Sequence, residues 1–551
     1  MLHIHVIMLF AVVLLHDVAA DLGVLPSSPP SWLLLAVGVI LPYVTLGAVA
    51  FASGRVAERA LLRLADGQDG DHPTFSPALY VGLALIVLDR RMALVRILAL
   101  VHTGACVLGA GWLDAIRSLV GDLVLIDELI VLAPALILLA VEYAARYPVE
   151  RVVHDARMLS ALDEGLPFYP TPSRWGYISM QVRHNLLLAL LPLTLAFGWS
   201  ETVTASLNWL AAWSESRLEA IVNTGAPLSL ADRGAKEVAS VLGDPTAGTI
   251  TDTVMRLGGV LALFVLLPVL LRRVWTTTPL ADSPLRDKLE NMCQHAKVGV
   301  ADVLVWRTGG WMINGAVLGL VGKARYILLT DGLLDQLSED HIRAVMAHEV
   351  GHVKRRHIPW LFAAMLAGSM TAAIIGQFAA IFVATFAGPV FGAWTQLLAA
   401  GASVGLGVAV FGYVSRRFEW QADAFAAQQL SLLNAEAGTA PPPVGPATVT
   451  LEAAGLMAGA LLRVAALNHL DIYAFGFRHG SIARRIENLR ALPGTVIGDA
   501  PADRASRRIK IALTATLTLV LVAITLLSFA AGPHTAAAAH PTASVVEWCL
   551  R

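Results

Sequence analysis

The chain has 551 residues, of which 56% are hydrophobic and only 15% charged, and its mean hydropathy is +0.65. Soluble domains are about a quarter charged, so this composition excludes an ordinary cytosolic globular enzyme and leaves a membrane protein. Lys and Arg number 40 against 41 Asp and Glu, a formal charge of −1, which gives a nucleic-acid partner no electrostatic footprint. The three cysteines, Cys106, Cys293 and Cys549, lie too far apart in sequence for a disulfide framework or a cysteine-based zinc site.

A membrane-spanning helix needs about 20 mostly apolar residues. By that measure nine spans are expected, at about 4–20, 32–53, 92–112, 123–144, 184–199, 252–271, 358–386, 390–413 and 511–531. The first lacks the Lys or Arg of a signal-peptide start and is read as a retained helix, although Val18-Ala19-Ala20 weakly resembles a cleavage site. Residues 78–88 are apolar but short and are interrupted by Asp89, Arg90 and Arg91, which suggests either an interfacial segment or a lead-in to the third span. Asp127 and Glu128 are costly in lipid and should face protein or water; lining an aqueous chamber, packing helices and a different boundary for the fourth span are equally compatible. Trp199, Trp209 and Trp213 read as an interfacial belt.

The loop charges test this arrangement. Arginines 55, 59 and 63, then 90, 91 and 96, then 146, 151 and 157 cluster at span ends, as do Arg272–Arg273, Arg416–Arg417 and the run Arg504, Arg507, Arg508 and Lys510. Counting alternate crossings puts every cluster on one side, which the positive-inside rule makes cytoplasmic. The opposite side receives 21–31, 113–122, a longer loop at about 200–251, the turn 387–389 and the tail from 532. Two hydrophilic regions, 274–357 and 414–510, then face the cytoplasm, and Pro441, Pro442, Pro443 and Pro446 mark a flexible connector inside the second. Segment 145–183 reads as a smaller cytoplasmic piece of loop and short helix. The expected setting is the cell (inner) membrane, multi-pass, with the lipid bilayer as a partner.

The chemistry-bearing run is Ala347-His348-Glu349-Val350-Gly351-His352, preceded by apolar positions at helical spacing after an N-cap candidate, Ser338. Residues i and i+4 share a helix face, so His348 and His352 can direct two imidazoles at one metal. Glu349 lies one step round, placed for a metal-bound water rather than the ion. Zinc lowers the pKa of such a water towards ~7, which suits hydrolysis.

After the eighth span comes Ser415-Arg416-Arg417-Phe418-Glu419-Trp420-Gln421-Ala422-Asp423. Glu419 and Asp423 again share a face. Glu419 can supply a third ligand, and Asp423 can accept the free ring N–H of a ligating histidine. A His₂Glu set with one open position is what catalytic zinc requires, giving one Zn²⁺ per chain.

These two runs resemble the membrane metallopeptidase family that includes HtpX-type quality-control proteases and type I CAAX prenyl endopeptidases. The likeness extends upstream to Asn314-Gly315-Ala316, Ala324 through Leu334 and Leu337-Ser338-Glu339, and downstream to His479-Gly480-Ser481-Ile482-Ala483-Arg484-Arg485-Ile486, where Gly480 replaces the family's proline. It covers about 280–495. The resemblance implies zinc ligation by His348, His352 and Glu419, with Glu349 as general base and later proton donor. His479 or Arg485 would approach the substrate carbonyl or its oxyanion; equally, His479 suits a capping or core role and Arg485 could hold Asp423.

Residues 314–320 and 325–330 read as two β-rich runs about Gly322-Lys323, a hairpin. If 314–320 is an exposed edge beside the metal, a peptide or protein substrate could bind there by strand addition; an ordinary structural hairpin fits equally. His357 reads as an interfacial residue at the start of the seventh span, or else a near neighbour of the site. Cys549 stands third from the end, so it is no CaaX acceptor.

The expected fold is mainly α: a polytopic membrane helical bundle of about nine spans with a cytoplasmic zincin-like metallopeptidase domain holding a small β-hairpin or sheet. The divisions are 1–273, an N-terminal transmembrane region; 274–510, the metallopeptidase domain with spans at 358–413; and 511–551, the last span and tail. The expected function is a zinc-dependent endopeptidase acting on membrane-associated or misfolded proteins. A sensor or antirepressor-type metallopeptidase cleaving one regulator is the alternative, and a transporter or scaffold with a relic site has no reason to keep all four site residues.

Overall fold

The computed structural model describes residues 2–530 apart from 26–31, 66–76, 164, 166, 168, 225–228, 437–445 and 469. Cys549 and the connector prolines 441–443 lie outside the described residues. The N-terminal half is helical: α1 (Leu2–Asp21), α2 (Trp32–Ala65), α3 (Pro77–Gly104), α4 (Trp112–Val120), α5 (Ile126–Asp163), α6 (Arg174–Gln181), α7 (Leu187–Thr224), α8 (Leu230–Gly243) and α9 (Pro245–Val274). Val13, Val39, Leu113 and Leu132 sit in its buried core.

Among the described residues, seven helical stretches are long and apolar enough to cross a membrane, or eight if the bent pair Ile250–Leu263 and Val265–Val274 forms one span. The expected first span forms α1 but is not among them.

Several expectations are corrected by long helices. Of the two readings of 78–88, the lead-in holds and a separate interfacial segment does not: α3 runs through it into the third span. The charges within it are tolerated because α5 supplies partners, with Arg146 Nη2 2.6 Å from Asp89 Oδ1 and Arg96 paired with Glu142. Helix α5 continues to Asp163, so the first half of 145–183 is helix, not loop. The outer loop expected at 200–251 is almost wholly helical, because no proline or glycine interrupts 199–224 and Ser229 with Asp232 forms a capping box that starts α8. Asp127 and Glu128 begin α5 rather than interrupt a span, and Arg117 of α4 binds both, Nε to Asp127 Oδ2 at 2.7 Å and Nη2 to Glu128 Oε1 at 2.9 Å. Trp199 is half-buried against α9, its Nε1 donating to Met255 O at 3.0 Å, while Trp209 and Trp213 stack and Trp209 is exposed.

The second half contains β1 (Thr277–Pro279), α10 (Pro284–His295), β2 (Asp302–Trp306), β3 (Gly315–Leu318), β4 (Tyr326–Thr330), α11 (Asp331–Gln336), α12 (Glu339–Lys354), α13 (His357–Ala387), α14 (Pro389–Glu436), α15 (Leu451–Leu467), α16 (Ile482–Arg490) and α17 (Pro501–Ala530). The strand order is β1-β2-β4-β3, with β2 and β4 parallel and the outer pairs antiparallel. The expected hairpin is β3–β4, Gly315 opposite Leu329 and Leu318 opposite Tyr326. Strand β4 is wholly buried, whereas β3 is an edge.

Helices α13 and α14 pack closely through small residues: a Cβ added to Gly376 would meet the Ala399 side chain, and one at Gly407 would meet Ser369. At ~1.5 Å per residue, the 48-residue α14 is about 72 Å long, far more than a bilayer core requires. It therefore projects from its apolar half into the sheet-bearing region, where residues 418–431 are largely buried.

Candidate active site

Helix α12 starts where the Ser338 side chain accepts from His341 N at 3.4 Å, and Glu339 and Asp340 occupy its first turn. Its apolar positions Ile342, Met346 and Val350 enter the main core of this half. That burial fixes the opposite rotation, and His348, Glu349 and His352 turn towards α14. The two helices approach closely at Gly351, where an added Cβ would lie 3.0 Å from Phe425 Cδ1 and 3.3 Å from Ala422 Cα.

The crossing brings three ligand-type atoms together. His348 Nε2 and His352 Nε2 are 3.1 Å apart, His348 Nε2 lies 3.6 Å from Glu419 Oε2, and His352 Nε2 lies 3.7 Å from Glu419 Oε1. A tetrahedral metal with bonds of about 2.0–2.1 Å needs ligand separations of about 3.3–3.4 Å, so this triangle fits one ion. Two ring nitrogens otherwise have little reason to face each other beside a buried carboxylate.

The surroundings orient each ligand. His348 Nδ1 is 2.9 Å from Asp423 Oδ1, although the ring N–H is not aimed straight along that contact. Burial works to lower the His348 pKa, but Asp423 and Glu419 outweigh it and raise it to about 10. The Asp423 contact favours a proton on Nδ1, so Nε2, on losing its own proton, is the atom for a metal to claim. His352 is different: burial pushes it down to about 3, so its imidazole is neutral and ligand-ready. Burial, with Glu419 adding to it, raises the Glu349 carboxyl above its ordinary range, opposed by His348, His479 and Arg485.

Arg485, at the start of α16, forks onto Asp423 with Nε and Nη2 each 2.7 Å from one carboxylate oxygen, and its Nη1 is 3.2 Å from Glu419 Oε2. Of the roles left open in sequence, its geometry is that of a clamp on the two acids. His479 places Nδ1 2.9 Å from Glu419 Oε1 while more than half its side chain remains exposed, at the lip of the site. The turn before α16 does depart from the family's proline: Gly480 has φ +72°, a left-handed conformation closed to proline, and exchanges two backbone hydrogen bonds with Gly476.

His357 is not interfacial. It is fully buried, with Nδ1 2.9 Å from His352 Nδ1, Nε2 3.1 Å from Gln421 Oε1, and its ring stacked on Phe418 at 4.4 Å. Sequence reasoning did not find Gln421 or Asp503, the next members of this chain, with Gln421 Nε2 2.9 Å from Asp503 Oδ1. Gln421 lies between the two acids of its own motif, a signal visible only once His357 is known to be inside.

Edge strand β3 lies against α12 beside these groups: an added Cβ on Gly315 would stand 2.9 Å from Val345 Cγ1 and 3.4 Å from Glu349 Cγ. The loop before it meets the N-terminal half where His154 stacks on Trp311 at 4.2 Å, and Tyr169 bonds Asp335 of α11.

These residues form a His/His/Glu triangle that could hold a metal ion, with a buried glutamate alongside, in a chain whose helices are long and apolar enough to cross a membrane. Residues 279–492 match Peptidase family M48. The CAAX prenyl protease 1 homolog of Arabidopsis thaliana is 30% identical over 212 residues, which cover 34% of this chain and 49% of the relative. The chain thus spans about half the length of the curated relative it matches. The crystal structure of S. mikatae Ste24p aligns with a TM-score of 0.39 and 14% identity, over 81% of this chain and 97% of that one.

Proposed function

We propose that the protein is a zinc-dependent endopeptidase that hydrolyses peptide bonds of membrane-associated or misfolded proteins, with residues 274–510 as its catalytic domain on the cytoplasmic side of a cell membrane. The observation that carries this reading is the His348–His352–Glu419 triangle with Glu349 beside it. Zinc held there would supply Lewis acidity, polarising the scissile carbonyl and lowering the pKa of a water. Glu349 accepts the proton of the attacking water and later delivers it to the leaving amine nitrogen. Its raised pKa suits both halves of that transfer. His479, half exposed at the lip, donates to the oxygen that gains charge as the carbonyl is attacked. Arg485 holds Glu419 and Asp423 in place from behind.

Substrate binds as an extra strand on β3, whose free edge runs past Glu349. Backbone pairing of that kind makes little demand on side chains, which accords with varied unfolded substrates. A regulator-cleaving sensor would use the same chemistry.

Glu349→Gln tests the reading: zinc content should persist while fragments produced by wild type disappear from the membrane proteome. Cleavage that survives the substitution would rule the mechanism out.

A further inference from the structure

A cavity of about 670 Å³ opens beside His352, where α12 gives way to α13. Four cations line it, Lys297, Arg325, Lys354 and Arg356, and among the described residues that line it none is acidic. Arg325 is committed to the wall: its guanidinium donates to Gly299 O at 2.8 Å, to Gly319 O at 3.3 Å and to Leu320 O, all neutral acceptors. The other three side chains are exposed. Four positive charges sharing a cleft with no counter-charge repel one another, so an anion there is favoured.

Two of these cations also occupy strained backbone. Lys297 follows α10 with φ +52° and Arg356 follows α12 with φ +54°, both left-handed positions after a helix end, where glycine is free of strain. Lys354 alone would suffice to complement the C-terminal dipole of α12. A long cation kept at each strained position instead points to a use for its charge.

The cavity's place in the chain selects the anion. Ile358 also lines it, in the first turn of a helix apolar enough to cross a membrane. From there Ile358, Phe362 and Met365 form an exposed apolar stripe at i, i+4 and i+7. A basic cleft at the head of an apolar stripe is complementary to a phosphate headgroup with its acyl chain below.

We propose that this cleft binds the headgroup of an anionic phospholipid from the leaflet beside the catalytic helix, next to His352. The site needs no turnover, so it stands or falls apart from the peptidase reading.

Native mass spectrometry of the full chain in detergent, titrated with dioleoylphosphatidylglycerol and dioleoylphosphatidylcholine, tests it. Wild type should hold the anionic lipid in preference. The K297Q/K354Q/R356Q variant should lose that preference, at about fivefold per cation and on the order of a hundredfold together. The charge-conserving K297R/K354R/R356K variant should keep it, which separates lost charge from lost fold. Equal retention of the two lipids by wild type, or a preference unchanged in the glutamine variant, would overturn the proposal. So would displacement of the lipid by equimolar glycerol 3-phosphate, which would make the ligand a free phosphate.

Discussion

His357 meets His352 edge to edge, Nδ1 to Nδ1 at 2.9 Å, with the two rings 84° apart. For His352 to offer Nε2 to a metal, its Nδ1 must carry the proton, so His357 Nδ1 accepts and His357 Nε2 donates to Gln421 Oε1. Gln421 Nε2 then donates to Asp503 on α17, which Arg355 also reaches at 3.0 Å. The orientation of one ligand is thus anchored through three elements.

His357→Phe keeps the stack on Phe418 but removes both hydrogen bonds. Zinc affinity should fall about 10–100-fold, the usual effect of losing the partner of a ligating histidine. Competition with a fluorescent chelator measures it, and an unchanged affinity would show that His352 needs no such anchor.

Gly351 permits the approach of α12 and α14. Gly351→Leu forces side-chain atoms against Ala422 and Phe425, separating the helix that carries both histidines from the one that carries Glu419. Purified protein should contain much less than one zinc per chain by elemental analysis, with its helical circular dichroism retained. Full zinc occupancy would mean that the helices can part without opening the triangle.

Arg485 neutralises two carboxylates that are themselves buried. Arg485→Met leaves Asp423 and Glu419 without their cation and should cost about 3–5 kcal/mol, read as a lowered midpoint of thermal unfolding in the metal-free protein. Arg485→Lys should recover only part, because an ammonium cannot fork onto both oxygens. Added zinc should restore some stability, since it supplies positive charge at Glu419.

Cys293 is buried in the main core of the sheet-bearing half, and that burial pushes its thiol up to about 12 from 9. Thiolate is the nucleophile, so raising the pKa removes reactivity: at pH 8 the anionic fraction drops from roughly a tenth to roughly one part in ten thousand. Iodoacetamide at pH 8 should leave Cys293 unmodified in native protein and label it in denaturant, as read by peptide mass spectrometry. Rapid native labelling would show that this core opens.

The helix bearing His348 and His352 was legible because four-residue spacing, an N-cap serine and apolar periodicity all act within sixteen residues. The β3–β4 hairpin was legible for the same reason. Local signals failed where the chain had no punctuation. Without proline or glycine after Gly198, α7 simply continues, and apolarity alone cannot tell where a membrane ends and an exposed helix begins. His357 stayed open between the membrane interface and the neighbourhood of the site, where it lies, because its partners, His352, Gln421 and Phe418, come from two different helices.

What the sequence determined by itself was the list of groups and their faces: two imidazoles a helical turn apart, a neighbouring carboxylate, and two further acids a turn apart on a second apolar helix. The tertiary structure alone decided the distances between them, because those depend on how closely Gly351 lets α12 approach α14. It also settled that Arg485 clamps acids and that four cations from separate segments converge beside His352. Spacing along one helix is fixed by its repeat, whereas convergence between helices depends on packing contacts that no local pattern encodes.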